Sequence, residues 1–150
     1  MENVNQDTDN GFFRFEDLRI YAKAIEYSKW LLTTLPEPAG EQQRNLAQSF
    51  CHSAYDIALN IAEGSSRNKS QFEHYLKISK TAIRECVVYT AMALGIGMID
   101  EEQSRRSREL LMEMTRMVGA CIISLQRGSH RSGSVQDDAV DTDSDSDFDN

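Results

Sequence analysis

Apolar residues recur along this chain at intervals of three and four, the spacing that lines one face of an α-helix, and four such stretches can be separated. The first runs from about Glu16 to Leu35, with Leu18, Ala22, Ile25 and Leu32 joined by Tyr21 and Leu35. Pro36-Glu37-Pro38 closes it, because neither proline can donate a backbone N–H and each restricts the residue before it. The second, from about Glu41 to Glu63, places Leu46, Phe50, Ala54, Ile57 and Ile61 on one face, with the small Ala47, Cys51 and Ala58 beside them. Tyr55 and Leu59 fall on another side. The third, from about Gln71 to Leu94, buries Phe72, Tyr75, Leu76, Ile83, Val87 and Leu94, and the fourth, from about Glu101 to Gln126, carries Leu110, Leu111, Met114, Met117, Val118, Cys121, Ile122 and Leu125. Asp100 is placed to cap the fourth and Gly128 to end it. Short connections force antiparallel neighbours, so the pattern predicts an all-α, antiparallel up-down-up-down four-helix bundle over residues 13–128.

The second and third stretches meet in the clearest turn signal of the chain, within Ile57–Glu85. Gly64 is expected in the left-handed conformation that ends a helix, with Ser65-Ser66-Arg67-Asn68-Lys69 as polar connector. Ser70 and Glu73 have capping-box spacing. Later in the third stretch, Val87–Leu94 has no charge on any face, and a helix apolar all round must be covered all round. The pattern therefore points to Val88, Tyr89 and Met92 as a subunit interface, or else to a packed site beneath the turn at Gly95-Ile96-Gly97. Trp30 lies off the main stripe of the first helix, as a rim residue or a subunit contact. Phe12, Phe13 and Phe15 read as a staple folding the start of the bundle inward.

Asn60-Ile61-Ala62-Glu63-Gly64, Ser66-Arg67, Phe72-x-x-Tyr75-Leu76, Ile83-x-Glu85 and Leu94-Gly95, with Phe13-Arg14-Phe15-Glu16-Asp17-Leu18 upstream, resemble the four-helix-bundle family of ribosomal-RNA intervening-sequence proteins. That family includes the accessory variability determinants of diversity-generating retroelements. The resemblance covers roughly Phe13 to Leu125, and singles out Asn60, Glu63, Gly64 and Glu85 as the structural motif. It implies a ring-shaped homopentamer without enzymatic activity or cofactor, and in the retroelement branch an accessory that binds RNA and a reverse transcriptase. The chain departs from the family at two points: the connector before Phe72 is about one residue short, and an acidic tail has been added.

That tail changes how the charge is read. The formal net charge of −8 resolves into −3 from residues 1–13, −6 from residues 129–150 with their seven Asp against Arg131, and +1 from the 15 basic and 14 acidic residues between. An acidic chain thus encloses a core that is compatible with a nucleic-acid partner. Residues 1–12 and 129–150 offer almost nothing to bury and are expected to be disordered. Cys51, Cys86 and Cys121 have no ligand or redox spacing and read as small buried apolar residues in a reducing compartment. No stretch approaches the ~20 apolar residues of a membrane span, so a cytoplasmic location without membrane contact is expected.

No catalytic or metal-binding constellation emerges. His52, His74 and His130 have no partner at relay spacing. Glu63 reads as answering Arg67, and Glu85 as bonding where helices meet. Asn60 can hold the hinge by bonding neighbouring backbone. Asp143, Asp145 and Asp147 open like a calcium loop, but Phe148 stands where that loop needs glycine. The tail reads instead as a solvated polyanion or a nucleic-acid mimic. What remains is basic: Lys77, Lys80 and Arg84 share a face of the third helix, Arg67 and Lys69 lie at its foot, and Arg105, Arg106 and Arg108 open the fourth. These eight are the candidate RNA contacts. A purely protein-binding scaffold that uses the acidic tail is the rival reading.

Overall fold

The computed structural model describes residues 12–130, which are helical apart from short connections and contain no strand. A 3₁₀ turn at Arg14–Asp17 leads into α1 (Arg19–Thr34), followed by α2 (Glu41–Ser65), α3 (Lys69–Gly95) and α4 (Glu101–His130). The expectations for residues 1–11 and 131–150 lie outside the described residues.

Cross-helix bonds fix the direction of each helix. Ser53 on α2 donates to Glu85 on α3 at 2.7 Å, and Ser79 on α3 donates to the Ile57 carbonyl at 3.1 Å, so α2 and α3 run oppositely. Thr90 meets Ser107 at 2.7 Å and Gln126 donates to Glu73 at 2.8 Å, so α3 and α4 do the same. Tyr27 bonds Ser107 at 2.8 Å and Lys23 pairs with Glu113 at 3.2 Å, which sets α1 against α4. The result is the expected up-down-up-down order. Its core is one cluster that includes Ile20, Leu31, Phe50, Ile57, Ile61, Leu76, Ile83, Leu110, Leu111, Met114 and Val118. Each of these side chains contributes about 1.5–3 kcal/mol by leaving water.

α1 is rotated from its expected phase by roughly a quarter turn. Its buried face is Ile20, Ala24, Tyr27, Ser28 and Leu31, whereas Ala22 and Leu32 are exposed and Leu18, Tyr21, Ile25 and Leu35 only flank the core. The cause is a polar chain buried where α1, α3 and α4 meet. Thr90 spends its one proton on the Cys86 carbonyl at 2.7 Å, so it must accept from Ser107, which must in turn accept from Tyr27. This leaves every hydroxyl of the series satisfied, as burial requires. Ser28 is the exception, with a buried Oγ that has no partner among the described residues. Trp30 is half-buried against Tyr27, its ring 5.8 Å away.

Asp100 caps α4 as expected, but other helix ends named from the sequence differ. α3 is capped by Asn68, whose side chain accepts from the Gln71 N–H at 2.9 Å, while Glu73, expected in a box with Ser70, turns to Gln126 and Lys77. α4 has the reciprocal box: Asp100 accepts from the Gln103 N–H at 2.8 Å, and Gln103 accepts from the Asp100 N–H at 2.9 Å. Gly128 does not end α4, which continues to His130. The left-handed role assigned to Gly64 belongs to Gly97, at φ 77°, where the N–H groups of Gly97 and Met98 return to the carbonyls of Leu94 and Ala93. Gly64 is helical. A Cβ there would lie 2.6 Å from Tyr75 Cβ and 2.9 Å from Phe72 Cδ2, so the missing side chain is what lets α3 approach α2 at the hinge.

Candidate nucleic-acid interface

Lys77, Lys80 and Arg84 project from one side of α3, the flank toward α4, with Lys77 and Arg84 exposed and Lys80 half-buried. Lys77 reaches back one turn to Glu73 at 3.6 Å, and Lys80 and Arg84 have neighbours of their own. The Lys77–Glu73 pair is a surface contact of small worth, which a phosphate can displace. Arg105 and Arg108 are exposed on α4 and make no ion pair among the described residues. Because Thr90 lies opposite Ser107, Arg84 sits about 7.5 Å along the bundle from Arg108. The sequence reading missed Arg116 and Arg127. Both are exposed, and their spacings of eleven and twenty-two residues from Arg105, close to three and six full turns, return them to the same side of α4 as Arg105. That periodicity was available, but the two arginines stand apart from the obvious cluster.

Two of the eight expected contacts, Arg67 and Arg106, turn away from this face, and a third, Lys69, stands at its end. Arg67 turns to the hinge, its Nε 3.2 Å from Glu63 and its guanidinium 5.5 Å over the Tyr75 ring, and the bond to Glu63 raises its pKa. Lys69 lies at the other flank of the hinge, where its ammonium would be 2.9 Å from a Cβ at Gly128, against the carbonyl end of α4 that favours a cation. Arg106 faces away from Arg105 and Arg108, toward Glu26 of α1 at 3.7 Å and Glu109 at 3.9 Å. The face that remains consists of Lys69, Lys77, Lys80 and Arg84 on α3 with Arg105, Arg108, Arg116 and Arg127 on α4.

Beyond Arg84 the surface of α3 changes. Val88 and Met92, each 51% exposed, continue into Ile96 at 54%, giving an apolar stripe at four-residue spacing. Tyr89 is half-buried instead, its ring 5.8 Å from Phe50. The pairing of Phe50 with Tyr89 sets Gln42, Asn45 and Ser49 of α2 beside the stripe, all exposed and all uncharged. The run Val87–Leu94 is therefore fully buried on one side only, at Thr90 and Ala93.

The motif residues act locally. Asn60 donates to the Asp56 carbonyl of its own helix at 2.8 Å and does not span the hinge. Glu63 holds Arg67, and Glu85 accepts from Ser53. By the pairing of the two helices Glu63 and Glu85 stand about 15 Å apart along the bundle, too far to act on one atom. His52 and His74 are exposed on different helices. Cys86 is buried, Cys51 and Cys121 half-buried, and loss of water raises the pKa of all three thiols, which keeps them protonated and unreactive. Among the described residues no group of His, Cys, Asp or Glu is placed to hold a metal, and no helix is long and apolar enough to cross a membrane.

Four helices around one continuous core, with side chains sorted by charge along the outer surface of a single helix, define a bundle whose distinguishing features are surfaces and not a cleft. The profile of the 23S rRNA-intervening sequence protein family matches residues 16–120, and the chain belongs to that family. No curated protein matches it.

Proposed function

We propose that this protein is a non-catalytic adaptor that assembles into a ring of identical subunits and holds RNA on the basic faces of α3 and α4. One observation supports the reading above others: the outer surface of α3 is basic up to Arg84 and charge-free and apolar from Val88 to Ile96. The first half suits a phosphate backbone. The second suits another copy of the chain, because removing Val88, Met92 and Ile96 from water stabilises an assembly and no charge has to be desolvated with them. The two requirements reinforce each other. One subunit offers a short, partly neutralised basic strip, whereas a ring repeats it and converts weak contacts into avidity. The family resemblance implies that the ring is a pentamer, and in one branch that the RNA is presented to a reverse transcriptase.

Light scattering behind size exclusion tests the first half, with an expected mass several times the 17.0 kDa of one chain. Met92→Glu should return it to a monomer. Titration of RNA into the intact protein and into a Lys77→Gln, Lys80→Gln, Arg108→Gln variant tests the second half. The variant should bind more weakly and with a flatter salt dependence, each lost phosphate contact lowering the slope by about 0.7–0.9. Absence of RNA binding at low salt would leave the protein-scaffold reading in its place.

A further inference from the structure

The basic face starts where the described chain stops. α4 runs to His130, its final turns lie beside Lys69, and from Lys69 the face climbs α3 through Lys77, Lys80 and Arg84. The sequence continues from that point for twenty residues, 131–150, which carry seven Asp, one Arg and no Lys or Glu. Lys69 to Arg84 spans about 22 Å at 1.5 Å per residue. Twenty residues of chain reach up to about 66 Å when extended, ample to cover that span. The tail and the face thus match in origin, reach and sign. The aspartates at 137, 138, 141, 143, 145, 147 and 149 space their charges along the segment much as a nucleic-acid strand spaces its phosphates.

We infer that residues 131–150 dock on the α3/α4 basic face of their own subunit and act there as a built-in competitor of RNA. The docking stands independently of the RNA reading; the competition rests on it. Tethering gives the tail an effective concentration in the millimolar range, so weak docking suffices to keep the face occupied. RNA that spans several subunits of a ring displaces several tails together, whereas a short or stray strand meets the tail at each site and fails to. The tail thereby acts as a filter for length. It also deters other polyanions.

Zero-length carbodiimide coupling, which joins a carboxylate to an amine only where they touch, reads the docking in the intact chain with no RNA present. The five lysines supply their own control: Lys69, Lys77 and Lys80 lie on the face, and Lys23 and Lys29 lie on α1. Tyr27 and Thr90 both stand level with Ser107, which puts Lys80 about 20 Å and Lys29 about 37 Å along the bundle from the end of α4, both within the roughly 66 Å that twenty extended residues span. Peptide mapping should find the tail aspartates joined to the α3 lysines at least fivefold more often than to Lys29, with the excess lost near 1 M salt, where the Debye length falls to about 3 Å. An even distribution overturns the docking. Twenty-nucleotide RNA is then titrated into the intact chain and into a variant with all seven aspartates changed to asparagine. The variant should bind about tenfold more tightly at 0.1 M salt and equally at high salt. Preferential coupling with equal RNA affinity for the two proteins overturns the competition. Preferential coupling with no RNA binding by either keeps the docking and refutes the RNA reading.

Discussion

Tyr27 shows how a single residue decides what a pattern of apolar positions leaves open. A tyrosine followed by a serine reads as polar surface, yet both are buried, the tyrosine because its phenol donates to Ser107 on α4, which donates in turn to Thr90 on α3. Nothing within fifteen residues of Tyr27 signals this. The partners are eighty and sixty-three positions away. Thr90→Val keeps the shape and removes the acceptor of Ser107; denaturant unfolding should show a loss of about 1–3 kcal/mol, and pairing it with Ser107→Ala should cost less than the two separate losses summed. Burial also raises the pKa of Tyr27 and Cys86. Their unfolded values are about 10 and about 8.5, so above those values the folded state binds more protons than the unfolded one. Stability should be level through neutral pH and fall above about pH 8.5, by up to about 1.4 kcal/mol per pH unit for each group. Melting curves of Cys86→Ala should be flatter between about pH 8.5 and 10 than those of the parent, with part of the slope left to Cys51 and Cys121. Gly64→Ala forces a methyl against Tyr75 and Phe72 and should cost about 1–3 kcal/mol, whereas Gly119→Ala meets nothing within 4 Å and should gain roughly 0.5–1 kcal/mol in the same measurement.

At the scale of elements, α2 and α4 were legible and α1 was not. In α2 the residues Phe50, Ala54, Ile57 and Ile61 are large or unambiguous, and all are buried as the spacing says. In α4 Leu110, Leu111, Met114 and Val118 behave the same way. α1 buries Ala24, Tyr27 and Ser28, whose side chains carry weak or contrary hydrophobic signals, so Ile25 and Leu32 pulled the expected face round. Asp100 was legible as the cap of α4, whereas the role of Gly64 was misread for a related reason. A glycine can be needed for its φ or for its lack of bulk, and Gly64 and Gly97 look alike until a neighbouring helix is placed. The basic face was half legible. Lys77, Lys80 and Arg84 follow from helical spacing alone, but the departure of Arg106 depends on where α1 lies. α3 remains the element on which the proposed function turns. Val88→Glu with Met92→Glu should abolish self-association in sedimentation while leaving helix content by circular dichroism unchanged, since both side chains are exposed.

For the molecule as a whole, the order of the helices gathers three things at one end of the bundle. Phe12–Phe15 lie against Leu59, Ala62 and Ser65 at the close of α2, and Lys69 meets the last turns of α4, so the beginning of α1, the α2–α3 hinge and the end of α4 are neighbours. Among the described residues the opposite end holds Leu35–Gly40 and the turn that follows α3. Such proximity makes the linear order of the chain dispensable to its shape. A circular permutant, joined from the end of α4 to the start of α1 by about ten glycine and serine residues and opened within Pro36–Gly40, cuts no helix and keeps every core contact. Its melting temperature should stay within a few degrees of the parent. The permutant would carry its new ends at the far pole, where a fused reporter stands clear of the basic strip and of the hinge.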